Sequence, residues 1–162
     1  MYKVSFTGHR PEKLPFFSEE DPMCVDLKNR LKKQIKKLIL DGADEFFTGM
    51  ARGVDMWAAE AVLELKSEFP NITLTAVIPC PDQTKSWNAE DKARYNSILE
   101  QCAKKLVISP SYTRGCMLKR DRALVDLCDI LVAVFDGQKG GTAYTVDYAK
   151  SAGKKTVLVG AM

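Results

Sequence analysis

The chain has 162 residues, of which 46% are hydrophobic and 28% are charged, and its formal net charge is +3. This composition predicts one folded domain over residues 1–162 and excludes a disordered chain, because the apolar content is ordinary and the net charge is small. The longest apolar runs fall far short of the roughly 20 residues that a membrane-spanning helix needs, so we expect no membrane segment.

The first half of the chain alternates short apolar runs with helical stretches. A strand is predicted at Lys3–Thr7, and the prolines of Arg10–Pro22 predict a loop after it. Apolar residues at helical spacing, with lysines between them, predict a helix from Met23 to a stop at Asp41-Gly42. The next predicted elements are a strand, a helix and a strand at Glu45–Thr48, Asp55–Phe69 and Thr73–Ile78.

The second half continues this alternation. A helix precedes a strand three times in succession, at Lys85–Cys102, Lys105–Ile108, Gly115–Cys128, Ile130–Phe135, Thr142–Ala152 and Thr156–Val159. Strands that are apolar on both faces and alternate with helices indicate a mostly parallel sheet with helices on both faces. We therefore predict a three-layer α/β fold, in which ligands bind at the carboxyl ends of the strands.

Three strand-to-helix junctions are rich in glycine: Thr7–Pro11 (TGHRP), Thr48–Asp55 (TGMARGVD) and Asp136–Thr142 (DGQKGGT). Glycine lets backbone N–H groups approach a ligand at a helix N-terminus, where the amides and the helix dipole favour an anion. Turn chemistry, with Asp55 and Thr142 as helix N-caps, also explains each junction taken alone. Because the junctions share one sheet edge and two contain an arginine, Arg10 or Arg52, we predict a phosphate-bearing ligand there.

Cysteine and histidine usage restricts the chemistry of the site. The five cysteines are widely spaced without a C-x-x-C pair, which predicts free thiols in a reducing cytoplasm. His9 is the single histidine, so we expect no histidine-built metal site, and a Ser-His-Asp triad would need His9 as its base. No metal is predicted, and no cofactor follows with certainty.

Several motifs, taken together, resemble one family. The segments TGHRP, TGMARGVDMWAAE and GGTAYTVDYAKSAGK, with Gln83, Trp87 and Tyr95 in PDQTKSWNAEDKARY, are similar to the YpsA family of the SLOG superfamily. That superfamily also contains the DNA-processing protein DprA and the LOG hydrolases. The likeness extends from Lys3 to Val159 and implies a Rossmann-like fold that binds a nucleotide or a nucleotide-derived, ADP-ribose-like ligand.

The LOG hydrolases add an alternative. Met117, Arg120 and Asp129 resemble a LOG motif whose arginine, with a glutamate, acts on the N-glycosidic bond of a nucleoside monophosphate. Aligned on Gly141-Thr142, the glutamate position is Tyr144, so the carboxylate that this reaction needs is missing. A hydrolase would therefore need a relocated acid or base beside Arg120, and the candidates are Asp147, Asp55 and His9.

The predicted ligand-binding residues are Gly8, His9, Arg10, Gly49, Arg52, Gly53, Asp55, Gln83, Trp87, Arg120, Asp136, Gly140, Gly141 and Thr142. For three of them a structural role stays open. His9 contacts the ligand or orders its loop. Trp87 stacks on a base or packs in the core with Tyr95. Asp136 holds a ribose hydroxyl or begins a turn.

These residues lead us to expect a nucleotide-binding sensor or regulatory module. A LOG-like phosphoribohydrolase is the alternative, and DprA-like binding of single-stranded DNA is the second alternative. Nucleic acid is disfavoured because the net charge is small and Lys28, Lys32 and Lys36 line one helix face, as on a solvated surface.

The loop Arg10–Pro22 contains Phe16 and Phe17 among charged residues. Aromatics in an exposed loop are suited to closing over the pocket or to contacting a protein partner, and both interpretations stay open. The apolar content is also compatible with a homodimer.

Overall fold

Six strands alternate with five helices along residues 1–161, the part of the chain that the computed structural model describes. The strands are β1 Tyr2–Gly8, β2 Ala43–Thr48, β3 Thr73–Ile78, β4 Lys104–Val107, β5 Ile130–Val134 and β6 Lys155–Val159. The helices are α1 Pro22–Leu40, α2 Val54–Leu65, α3 Ala89–Gln101, α4 Cys116–Leu127 and α5 Gly141–Ser151, and a 3₁₀ turn spans Pro11–Lys13. The predicted order of elements is confirmed.

The six strands form one parallel sheet in the order β4-β3-β2-β1-β5-β6. The direction of this order changes between β1 and β5, where Val4 pairs with Ile130 and Gly8 with Val134. In open parallel sheets, the crevice outside the carboxyl ends of two such strands is where ligands bind. The structure thus confirms the Rossmann-like α/β fold.

Alternate residues of the central strands point into different cores. Val132 of β5 belongs to the cluster that contains Leu31 of α1 and Trp57 of α2. Its neighbours Leu131 and Ala133 belong to a cluster with residues of α4 and α5. Because both faces of β5 are covered, this strand is apolar throughout.

Helix α1 is amphipathic and lies on the surface. Its buried residues recur at helical spacing: Cys24, Leu27, Leu31, Ile35 and Leu38. Four ion pairs involve its side chains, which are Lys28 with Glu19, Arg30 with Asp26, Lys32 with Glu64 and Lys36 with Glu68. These glutamates offset part of the basic charge of the helix. Among residues 1–161, no helix is long and apolar enough to cross a membrane.

The structure shortens the predicted helix Lys85–Cys102. Helix α3 begins at Ala89 because the Asn88 side chain accepts a hydrogen bond of 2.7 Å from the Asp91 amide, as an N-cap does. Trp87 therefore precedes the helix rather than lying on it. Its ring still meets Tyr95 edge-on, with ring centroids 5.5 Å apart.

The loop between β1 and α1 is fastened to the helices. Phe16 is buried against Trp57, with ring centroids 6.2 Å apart, and Glu19 forms ion pairs with Lys28 and Arg94. Phe17 is fully exposed. The expected exposed aromatic pair is therefore wrong for Phe16, which belongs to the core. A protein partner for this loop and a homodimer stay predictions.

Candidate ligand-binding cleft

The five helices begin in two different ways. Helices α1 and α3 have side-chain caps, since Asp21 and Asn88 each accept a hydrogen bond from an amide of the first turn. Helices α2, α4 and α5 instead follow Gly53, Gly115 and Gly140 and have no side-chain cap. The structure thus places a glycine N-cap where the sequence predicts Asp55 or Thr142 as caps. Amides in these first turns are left for other acceptors.

The three glycine-capped helices meet at one cavity of about 180 Å³. It lies at the carboxyl end of β1, beside the change in strand direction. Its wall is formed by Phe6, Thr7, Gly8, His9, Arg10, Lys13, Ala51, Asp55, Met117, Leu118, Arg120, Asp121, Leu124, Gly141 and Thr142. First-turn residues of α2, α4 and α5 are among them. We call this space the inner cavity.

The first turn of α5 presents open backbone amides to the inner cavity. The amides of Gly141, Thr142 and Ala143 donate to no other described residue, and the first bond of the helix is from Tyr144 to the Gly140 carbonyl. A Cβ built on Gly141 would meet no atom within 4 Å, so the space beside it is open. Free amides and the helix dipole at such a turn favour an anion.

Lys13 lies beside this turn. A Cβ built on Gly140 would be 2.9 Å from Lys13 Nζ, and the φ of Gly140 is +146°, where side chains are strained. Glycine at position 140 thus admits both the backbone turn and the lysine ammonium. The sequence gives no signal for Lys13, because it stands in a proline-rich loop far along the chain from α5.

Arg120 crosses the floor of the inner cavity and is 4% exposed. Its Nε donates to Asp121 at 2.8 Å, and its Nη1 donates to the Gly49 carbonyl. Gln83 Nε2 donates to the same carbonyl at 3.2 Å. A Cβ on Gly49 would be 2.8 Å from both Arg120 Nη1 and Asp55 Oδ2. Glycine at this position therefore lets the arginine and the carboxyl approach the backbone together.

Asp55 is a buried carboxyl group in the wall of the same cavity. Its Oδ2 accepts a 3.3 Å hydrogen bond from the Ala51 amide. Burial raises the pKa of Asp55 to about 6, and nearby Asp121 adds to the increase, while the positive charge of Arg120 opposes it. Asp55 therefore exchanges a proton close to neutral pH.

His9 links the two loops that flank the crevice. Its Nε2 lies 3.0 Å from Asp136 Oδ1, and the ring is 5% exposed. The Gln138 amide also donates to Asp136, and this bond, together with His9, lowers the pKa of Asp136. The loops that follow β1 and β5 are held together by this contact.

A second cavity of about 470 Å³ adjoins the first and shares Arg10, Ala51 and Met117 with it. Its other wall residues are Arg52, Gln83, Ser86, Trp87, Asn88 and Asp91. We call it the outer cavity, and the two together the cleft. The cleft therefore extends from the first turn of α5 to the start of α3.

Most of the predicted binding residues lie in or directly behind the cleft wall. Gly53 supports it from outside, because its φ is +88° and a Cβ there would be 2.8 Å from the His9 carbonyl oxygen. Asp136 lies beyond the inner cavity and reaches it only through His9. Asp147 is exposed on α5 and lines neither cavity. Sequence analysis also missed Asp91 and Asp121, whose positions follow from helix packing rather than from a motif.

The sequence model of the YspA SLOG family (YpsA) matches residues 4–158. The chain belongs to this family. It is 28% identical over 141 residues to a UPF0398 protein of Bacillus pumilus, covering 86% of this chain and 76% of that protein. A UPF0398 protein of Bacillus thuringiensis strain Al Hakam is 27% identical over 161 residues, covering 95% and 85%. The resemblance found in the motifs is confirmed.

Two solved structures of DNA processing protein A are similar in fold. The protein from Helicobacter pylori matches with a TM-score of 0.68 at 20% identity, over 97% of this chain and 64% of that one. The protein from Streptococcus pneumoniae matches with a TM-score of 0.65 at 16% identity, over 97% and 50%. This chain thus spans less than two-thirds of either protein. The study of the first concerns its binding of single-stranded DNA.

Proposed function

We propose that this SLOG protein binds a phosphate-bearing nucleotide or nucleotide-derived ligand in the cleft and serves as a sensor or regulatory module. One observation carries the proposal: the three helices that meet at the inner cavity begin with glycine and lack side-chain caps. The two helices with side-chain caps, α1 and α3, contribute no residue to that cavity. The uncapped amides are therefore concentrated where an anion would bind.

The charges around the inner cavity support a phosphate group. Arg10 and Lys13 border it, and neither forms an ion pair with another of the described residues. Arg120 already pairs with Asp121 and holds the Gly49 carbonyl. The two unpaired cations are the ones that can neutralise a bound phosphate, while Arg120 fixes the cavity floor.

The loop contacts support a regulatory role. Glu12 pairs with Arg52, and His9 contacts Asp136, so the loops after β1, β2 and β5 are connected around the cleft. Arg10 precedes the 3₁₀ turn and Lys13 ends it, so a ligand that contacts either residue would act on the position of this turn. It would thereby act on the position of the loop that follows the turn. We therefore expect ligand binding to change the loop surface that a protein partner would contact.

The substitution Lys13→Ala tests this proposal. It removes an exposed cation beside the first turn of α5, so we expect nucleotide affinity to fall by about tenfold without loss of folding. Lys33→Ala is the matched control, because Lys33 is exposed on α1 and lines neither cavity. Calorimetric titration with a panel of nucleotides and ADP-ribose gives both affinities. Equal affinities for the two variants and the unmodified protein would contradict phosphate binding beside Lys13.

A nucleoside-monophosphate phosphoribohydrolase is the second candidate, and Asp55 favours it. This carboxyl shares the inner cavity with Arg120, and its pKa of about 6 allows it to act as an acid or a base near neutral pH. Chromatographic detection of free base released from nucleoside monophosphates tests it. The hydrolase predicts release that Asp55→Asn abolishes while binding persists. No release by protein that demonstrably binds the nucleotide would reject it.

Single-stranded DNA ranks third. The fold likeness to DNA processing protein A raises it, whereas the glutamates paired with the lysines of α1 reduce the basic surface that such binding needs. Binding would appear as a salt-dependent mobility shift of an oligonucleotide. No shift at low salt would reject it.

A further inference from the structure

We propose that the outer cavity binds a guanine base, which narrows the ligand of the proposed function, on which this inference rests, to a guanine nucleotide. The inference rests on two neighbouring groups. One is the indole ring of Trp87, which is held in a fixed orientation, and the other is the carboxylate of Asp91, which has no partner among residues 1–161. Both groups line the outer cavity. The inner cavity would then hold the phosphate, and the shared wall of Arg10, Ala51 and Met117 would face the ribose between them.

Trp87 provides the flat surface for a base. Its ring meets the buried Tyr95 ring at an interplanar angle of 90°, so the indole is held against the core. Trp87 is only half-buried and lines the outer cavity, which leaves part of the ring available to a ligand. Stacking on such a ring attracts any base, so it accounts for affinity and not for base choice.

Several polar groups of the outer cavity are already engaged. Gln83 donates to the Gly49 carbonyl and accepts from the Tyr95 hydroxyl, so both ends of its amide are used. Arg52 pairs with Glu12 on the neighbouring turn. The Asn88 side-chain oxygen accepts from the Asp91 amide, which leaves the Asn88 NH₂ group free to donate.

The Asp91 carboxylate is the acceptor that stays open. It is the only acidic side chain in the outer cavity, and it forms neither an ion pair nor a side-chain hydrogen bond with the rest of residues 1–161. An ionised carboxylate accepts only, so its counterpart on a ligand must be a donor. A cleft with the open first turn of α5 at one end and an unpaired carboxylate at the other fits a ligand with a phosphate and a donor-bearing base.

Guanine is the base whose edge matches this carboxylate. Its N1–H and its exocyclic NH₂ are adjacent donors on one edge, and two parallel N–H groups pair with a carboxylate as a fork. Adenine instead places the acceptor N1 beside its single amino donor, so it would set a lone pair against the carboxylate. A site whose acceptor pairs with the donors of the ligand rejects an analogue that lacks one of these donors more strongly than an apolar pocket would. The Asn88 NH₂ and the Ser86 hydroxyl are the wall groups that can donate to guanine O6.

Calorimetric titration with GMP, IMP and AMP tests the inference. The three share the ribose phosphate, IMP lacks only the 2-amino group of GMP, and AMP lacks both guanine donors. We expect GMP to bind at least about tenfold more tightly than AMP, with IMP between them. In Asp91→Asn we expect GMP affinity to fall about tenfold and AMP affinity to change less than about twofold. Glu90→Gln is the matched control, since it removes the same charge from the first turn of α3 without lining the cavity.

The outcomes separate this inference from the proposed function. If AMP binds as tightly as GMP, or if Asp91→Asn weakens GMP and AMP alike, the guanine site is overturned and nucleotide binding stands. If Glu90→Gln reproduces the effect of Asp91→Asn, the effect belongs to the helix and the inference is again overturned. If none of the three nucleotides binds at millimolar concentration, the guanine site is overturned, and the proposed function fails as well only if ADP-ribose and the other nucleotides of the panel also do not bind.

Discussion

Two oppositely charged side chains, Asp55 and Arg120, share the space above Gly49. Each lies 2.8 Å from the point where a Cβ on Gly49 would stand. Arg120 donates to Asp121 and to the Gly49 carbonyl, whereas Asp55 has one weak bond to the Ala51 amide. The protein thus keeps a buried carboxyl that its own contacts stabilise poorly, which is typical of a functional group rather than of a core residue.

The variant Asp55→Asn should be more stable than the unmodified protein at neutral pH. The folded-state pKa of Asp55, about 6, exceeds its ordinary value of 3.8. The folded protein therefore retains a proton that the unfolded chain has lost, and stability falls as pH rises through this window. The full difference corresponds to about 3 kcal/mol above pH 6. Because asparagine does not titrate, its gain in unfolding free energy should grow by about 1 kcal/mol from pH 5 to pH 7.5.

Urea unfolding at these two pH values measures that gain. Asp147→Asn is the control, because Asp147 is exposed and should show a constant difference within about 0.5 kcal/mol. A gain for Asp55→Asn that is independent of pH would show that the buried carboxyl is not the source.

At the scale of elements, the loop between β1 and α1 divides two adjacent aromatics between the core and the solvent. Phe16 is 7% exposed and contacts Trp57, whereas Phe17 makes no core contact. We expect Phe16→Ala to lower the unfolding free energy by about 3 kcal/mol and Phe17→Ala to change it by less than about 0.5 kcal/mol. Parallel urea titrations compare the two variants. Similar losses for both would mean that Phe17 is also packed.

The strands could be predicted because most of them are short apolar runs followed by a turn residue, although β4 begins with two lysines and is exposed. The start of α3 could not. The spacing of residues from Lys85 to Asn88 is compatible with a helix. However, the Asn88 side chain accepts a hydrogen bond from the Asp91 amide, so the helix begins only after Asn88. The burial of Phe16 could not be predicted either. The charged residues around it suggest an exposed loop, and its contact with Trp57 depends on helix α2, which is distant in sequence.

At the scale of the whole molecule, the cleft arises from the order of the strands. Parallel strands joined by right-handed crossovers bring the glycine-rich junctions to one edge, and the sequence predicts this much. The sequence does not predict that β5 lies directly beside β1, because this neighbourhood depends on pairing between strands that are distant along the chain. Because β1 and β5 are adjacent, the loops that follow them are close together, so Lys13 lies beside Gly140 and His9 contacts Asp136. No motif marks Lys13, and Asp91 reaches the cleft through the packing of α3, whereas Gly141 and Arg120 stand in recognisable motifs.

We propose that a phosphate-bearing nucleotide binds at the open first turn of α5. The most direct measurement is an amide-resolved NMR titration of isotope-labelled protein with GMP and, separately, with ADP-ribose. We expect shifts of the Gly141, Thr142 and Ala143 amides with at least one ligand, while α1 residues such as Leu31 stay unchanged. Unchanged amides at 141–143 with both ligands at millimolar concentration, or shifts confined to α1, would contradict it.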